Sequence, residues 1–437
     1  MAPTMSASSF PTATPGFRFV RRRGGIAEYR LARNGLRVLL LPEHSLPIAS
    51  VMVTYHVGSR NEAVGHTGAT HLLEHLLFKD SKHFRRSRGK DVWTLLEGKG
   101  ALVNATTWLD RTNYFEVLPS AHVEMALRFE ADRMRHALLT DADLASEMPV
   151  VRNEFERGEN DPLEALDKLL WASAYHAHPY HHPTIGWLSD IEHSSAARLR
   201  EFYRTFYWPD NATLTLVGDI EPRAALRAVH SSFGKLSPSP RPIPSAMTAE
   251  PVQEGPRHVV MSRRGHTNLA ALAFKTPPAL HPDTPALQVA GRVLCGGKES
   301  RLQRALVDQG LASEVILMNI PFKDAALCAI YAYLTPGTTH EKTLGILRRE
   351  AHRLASRGIT ARELAAAKAR IKAEAAMSRD GILNIAATLN EALAVGDWRF
   401  YLDFPRVVAS VSARDISRAA AAYFREDRST SGFFIAK

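Results

Sequence analysis

Long apolar runs are missing from this chain. No eighteen consecutive apolar residues occur, so a membrane-spanning helix is not expected. Cysteine is nearly absent: Cys295 and Cys328 are too few for a disulfide framework and have the wrong pattern for a zinc ribbon. Both lie in apolar surroundings and read as buried thiols. The first 27 positions contain no acid and gather Ser, Thr and Arg, which faintly resembles an organelle transit peptide. They lack an apolar core, so no secretory signal is expected. Residues 1–30 read as a disordered N-terminal extension, and the expected compartment is cytoplasmic. Acid is also short overall, with 55 Lys and Arg against 45 Asp and Glu, a net charge of +10. Such a balance can attract nucleic acid, but the basic residues are dispersed apart from Arg21–Arg23 and Arg85–Arg88. No nucleic-acid signature accompanies them, so nucleic acid is not an expected partner.

What is present is the composition of a folded protein, 45% hydrophobic and 23% charged, over 437 residues. That length exceeds what one core usually serves, so two or more domains are expected. Leu36–Pro42 and Ile48–Val57 read as strands, Gly68–Phe78 as a helix, Ala196–Tyr207 as a helix and Asn211–Val217 as a strand. The second half repeats this order, with strands at His258–Met261 and Leu269–Phe274 and helices at Thr284–Leu294 and Ser300–Asp308. Ala413–Phe424 then reads as a helix and Ser429–Ile435 as a strand. The helix-to-strand segments ending the two halves align at an offset of 217 residues. Between the halves, a Pro- and Ser-rich stretch reads as a linker. The expected organisation is α+β: two homologous α/β sandwich domains, residues 31–237 and 257–437, joined by a linker at 238–256.

His71-Leu72-Leu73-Glu74-His75 carries the chemistry. Residues four apart on a helix share a face, so His71 and His75 can hold one ion, with Glu74 close to the same face. Zinc favours imidazole and carboxylate donors with a position left for water. The order of the motif is the inverse of HExxH. A third ligand is available in Ser146–Asp161, where Glu147 and Glu154 lie nearly two helical turns apart and so face the same way. Glu154 is read as the carboxylate ligand and Glu147 as a support that orients a ligand. Ser146 is expected to cap this helix, placing Pro149 in a first turn that tolerates proline. Asn104-Ala105-Thr106 and Arg111–Glu116 read as a hairpin whose edge could align a peptide through main-chain hydrogen bonds. The histidine-rich run Tyr175–Pro183 reads as a structural loop buttressing the Glu154 helix, and Arg85–Lys90 as a solvated loop.

Together these residues resemble the pitrilysin-type zinc metallopeptidases, from about Glu28 to Lys437. The resemblance rests on Asn34-Gly35-Leu36, Val57–Glu62, His71–His75 with Phe78, Asn104–Thr106, Glu147 with Glu154, and the glycine-rich segment from Gly296 to Ala312. It implies one Zn2+ per chain held by His71, His75 and Glu154, Glu74 as the catalytic base, and Glu147 supporting the catalytic site. Asn104, Ala105 and Thr106 would bind a peptide substrate, and the chain would form half of a clamshell closed by a second chain. One departure stands out. Many members carry an Arg and a Tyr that grip substrate in the second half, where this chain has Val307 and Ser313. A dimer is therefore expected, with a related subunit that supplies the grip favoured over a second copy. In a homodimer Arg301 or Arg304 would have to substitute. The competing class is a non-catalytic peptide-binding or scaffold subunit.

Overall fold

The computed structural model describes residues 10–437. Its chain divides into two compact units: 1–153 with 184–247 and 378–391, and 154–183 with 248–377 and 392–437. The first division falls within one continuous helix, Asp141–Asn160, which is common to both.

The first unit holds an eight-stranded sheet. Its strands are β1 (Ala13–Thr14), β2 (Phe17–Arg23), β3 (Ile26–Leu31), β4 (Arg37–Pro42), β5 (Ile48–Tyr55), β6 (Leu102–Thr107), β7 (Thr112–Pro119) and β8 (Ala212–Gly218), in the order β1-β2-β3-β4-β8-β5-β7-β6. The second holds β9 (Arg257–Arg263), β10 (Asn268–Thr276), β11 (Ala312–Asn319), β12 (Ala326–Leu334) and β13 (Ser429–Ala436), in the order β11-β12-β10-β13-β9. Read from the opposite edge, β9-β13-β10-β12-β11 repeats β4-β8-β5-β7-β6. The one parallel pair in each sheet, β4 with β8 and β9 with β13, occupies the same place. The starts of β8 and β13 are 217 residues apart, the offset visible in the sequence.

Two expectations are corrected. Much of the expected disordered extension over residues 1–30 is ordered instead, because β2 and β3 form a hairpin in the first sheet; residues 1–9 lie outside the described part. The hairpin turns at Gly24-Gly25, both at positive φ, the dipeptide that suits a tight turn between twisted strands. Second, the Glu154 helix starts at Asp141, so Ser146 is no cap and Pro149 lies in the helix interior. Thr140 and Asp143 cap it instead, each accepting the other's backbone N–H through its side chain, at 3.1 and 3.2 Å. The compact units differ from the contiguous spans 31–237 and 257–437 in that each includes a helix from the other half of the chain.

These loans are specific. Helix Ile382–Ala394 contributes Ile382 and Ala386 to an apolar cluster with Met52 and Val217 of the first sheet. Asn390, one turn further along, is buried there: its amide donates to the Ala386 carbonyl, and its oxygen accepts from Thr54 and, at 3.4 Å, from Thr215. In the second unit, helix Pro162–Ala174 covers the sheet, and Gly432 of β13 leaves room for it. A Cβ at that position would stand 3.0 Å from Leu166. On the opposite face, Leu272, Phe274, Ile330 and Ala332 join the helices Thr284–Leu294, His340–Arg357 and Ala413–Tyr423 in one core. Cys328 is buried and Cys295 partly so, and burial pushes their thiols up to about 12 and about 11. Neither thiol is ionised, and hence reactive, at neutral pH.

The histidine-rich loop packs within the second unit. Its backbone N–H groups at His176, Ala177 and His178 donate to the Glu250 carboxylate at 2.9–3.1 Å, which also accepts from Lys275 at 2.8 Å. Burial alone would raise this carboxyl. The four donors overcome that and hold it at about 2, below its ordinary 4.5. A carboxylate with a depressed pKa contributes stability that is present above its ordinary value and lost as pH falls through the folded one. The wild-type melting midpoint should therefore fall on acidification from about pH 4.5 towards 2. Glu250→Gln should melt lower at neutral pH and show a shallower acid loss. Scanning calorimetry of the two proteins across that window tests this, and parallel curves would contradict it.

Candidate metal centre

The motif helix spans Ala69–Leu76, and its start is unusual. Gly68 precedes it at φ +86°, where a Cβ would lie 2.4 Å from the Ile185 carbonyl oxygen, so glycine is required. Glycine has no side chain to cap the helix. The buried Glu62 does this instead, accepting from Gly68 N at 2.8 Å and Thr70 N at 2.7 Å. Burial pushes its carboxyl up to about 8 against the pull of those N–H groups. Asp190 accepts from the Thr67 amide and hydroxyl at 3.1 and 2.7 Å, pinning the approach to the helix. Leu72, Leu73, Leu76 and Leu77 are buried to within 1%, fixing the rotation of the helix and hence the direction of its polar face.

On that face the His71 and His75 rings stand 4.9 Å apart, edge to face. Glu154, carried on helix Asp141–Asn160, joins them: one ligand atom from each of the three lies within 4.8 Å of the others. Glu147, about two turns earlier on the same helix, accepts from His75 Nδ1 at 3.2 Å and pairs with Lys79. With Nδ1 so engaged, His75 is left to present Nε2 to an ion. Burial would raise the Glu147 carboxyl, but Lys79 and His75 together hold it below its ordinary value. Glu74 lies close enough to Tyr114 and Tyr207 to add to the burial that holds both phenols protonated.

Two imidazoles and a carboxylate converging from two helices match the donor set zinc prefers, so these residues fit that ion. Lys79, which sequence reasoning missed, stands one turn after His75; the i,i+4 spacing was the available signal. Glu62 appeared there only within a motif, and its capping role needed the fold.

The strand β6 pairs with β7 alone and forms one edge of the sheet. Asn104 and Thr106 are exposed on it and Ala105 is buried. Asn104 Oδ1 accepts from Ala105 N at 2.8 Å. Thr106 is already engaged, its carbonyl and hydroxyl accepting from Arg111 at 2.8 and 2.7 Å. In the second unit Val307 lies on a short π-helical stretch within the expected helix Ser300–Asp308, and Ser313 lies on β11. Arg301 is committed to Glu363 at 2.7 Å and to the Gly358 carbonyl at 2.8 Å, whereas Arg304 is more than half exposed.

A duplicated α/β sandwich with an HxxEH helix in its first copy alone defines the class of pitrilysin-type peptidase scaffolds. The chain belongs to the M16 peptidase family. Residues 37–186 match the family described as "Insulinase (Peptidase family M16)", and residues 194–371 match "Peptidase M16 inactive domain". It is 30% identical over 406 residues to the "Zinc protease PqqE" of Helicobacter pylori, covering 92% of this chain and 91% of that one. Among solved structures it resembles a protease from Helicobacter pylori, with a TM-score of 0.87, 28% identity, and 96% and 100% of the two chains covered. The periplasmic protease PqqL from Escherichia coli shares the fold, with a TM-score of 0.77 and 17% identity over 96% of this chain but 48% of that longer one.

Proposed function

We propose that this chain is a zinc-dependent endopeptidase acting on short or unfolded peptides. The observation that carries the reading is the convergence of His71, His75 and Glu154 with Glu74 on the same helix turn. Zinc held there supplies an electrophile for the scissile carbonyl and lowers the pKa of the attacking water. Glu74 accepts that water's proton and passes it to the leaving amine. Glu147 orients His75, and Lys79 keeps Glu147 ionised. The open edge of β6 aligns the peptide backbone.

The reading extends to a partner. Val307 and Ser313 offer neither a cation nor a phenol, and Arg301 is already paired, so of the two expected substitutes only Arg304 is left for a substrate grip. The chain also spans only about half the length of PqqL. The length supports pairing with a second chain, and the missing Arg and Tyr favour a related chain that supplies the grip over a second copy. The zinc-loaded chain alone should be weakly active on an unfolded peptide and gain turnover when such a subunit is added. A homodimer of fixed mass turning over at about one per second or faster would refute the need for it. The competing reading, a non-catalytic scaffold, predicts a zinc content that His71→Ala/His75→Ala leaves unchanged, which metal analysis of the two purified proteins decides.

A further inference from the structure

A second cluster of metal-ligating groups lies in the first unit, apart from the residues of the HxxEH site. Asp132 and His136 sit four apart on helix Val123–His136, and His83 comes from the loop that follows the motif helix. The Nδ1 atoms of His83 and His136 converge on one oxygen, Asp132 Oδ1, at 2.6 and 3.0 Å. The two rings stand perpendicular, with centroids 5.8 Å apart. The other carboxylate oxygen, Oδ2, is fixed by the Ser81 hydroxyl at 2.5 Å and the His83 amide at 3.1 Å.

The scaffold under these groups is tied down on both sides. Ser81 bridges to Ala137, Lys82 N donates to the His136 carbonyl at 3.0 Å, and Leu138 N donates to the Asp80 carbonyl at 3.1 Å. Asp132 is buried, with a side chain 6% exposed, while those of His83 and His136 are 60% and 37% exposed. A buried, oriented carboxylate flanked by two solvent-facing imidazoles leaves coordination positions for water.

We propose that His83, Asp132 and His136 form a second zinc site. The donor chemistry is two imidazole nitrogens and one carboxylate oxygen, which suits Zn2+ better than calcium or magnesium. Ser81 orients the carboxylate as supporting groups do at metal centres. Each neutral imidazole presents Nδ1 as a lone pair when its proton sits on Nε2, towards solvent, so the ion replaces the hydrogen bonds now made to Oδ1. Occupancy would clamp the start of the exposed Arg85–Lys90 loop to the helix. It does not depend on the peptidase reading.

The test separates the two sites. A His71→Ala/His75→Ala protein is titrated with Zn2+ against a chromophoric chelator, and its melting midpoint is followed with and without the metal. It should still bind one zinc and melt higher when loaded. Adding His83→Ala, an exposed change that spares the fold, should weaken that binding at least tenfold and abolish the thermal gain. Ser81→Ala should weaken it by about 10–100-fold. The proposal is overturned if the double variant binds no zinc, or if its binding is unmoved by both His83→Ala and His136→Asn. Unmoved binding would place the ion elsewhere, as in the His176–His182 loop.

Discussion

Glu74→Gln is expected to cut peptide hydrolysis by about 10²–10⁴-fold while leaving the zinc content of the protein unchanged. Glutamine keeps the size and an acceptor oxygen but cannot take a proton from water. In the proposed site the ligand atoms come from His71, His75 and Glu154, so the ion should remain. The buried leucines that set the rotation of the motif helix are untouched, so the fold should be too. Turnover of an unfolded peptide and metal content, measured on one preparation, form the check. Near wild-type turnover with zinc retained would remove Glu74 from the role of base. Loss of zinc would mean that the carboxylate helps hold the ion.

Replacing Arg133 by leucine should destabilise the first unit by about 3–5 kcal/mol, lowering its melting midpoint by roughly 6–20 °C. Arg133 is buried, 1% exposed, and donates to Glu130 and, at 3.3 Å, to Glu116, both also buried. Its guanidinium lies 4.2 Å from the Tyr114 ring centroid, 4.9 Å from that of Phe129 and 5.3 Å from that of Phe78. Burial, and then Glu130, push the Glu116 carboxyl well above the carboxylate range, while the Arg133 guanidinium pulls it down. Without Arg133 the two buried carboxyl groups lose the cation and the hydrogen-bond donor they share. Exchanging all three for apolar residues of similar volume should restore much of the stability, because a buried ion pair and a well-packed apolar cluster are often nearly equal. Thermal melts of the single and triple variants test this. A single variant as stable as wild type would show that the triad contributes nothing.

The parts of this protein that could be read from its sequence are those governed by local spacing. The HxxEH helix, the β6–β7 hairpin and the 217-residue repeat each depend on residues close in the chain or on a period. The triad around Arg133 was hidden because nothing in the charged run Asp132-Arg133-Met134-Arg135-His136 marks which side chain turns inward. Only the fold shows Arg133 turned inward and Asp132 facing His83. The β2–β3 hairpin was masked by Arg21–Arg23, charges typical of a tail, although Gly24-Gly25 marked the turn. The start of the Glu154 helix was misplaced because Pro149 argues for a boundary that tertiary packing overrides. The borrowed helices could not be read at all, since periodicity gives a helix its apolar face but not the sheet that face will cover.

That borrowing has a consequence for how the chain becomes a protein. A ribosome releasing the first 237 residues would deliver the complete first sheet but not Ile382 or Ala386, and the apolar patch around Met52 and Val217 would stay bare. Helix Pro162–Ala174 would meanwhile wait for β9, β10 and β13 to be made. Neither half can finish early, so maturation should be late and all at once, with loop closures spanning hundreds of residues and correspondingly slow. Two fragments cut within 238–256 should each be sticky and protease-sensitive alone, yet protect one another when mixed.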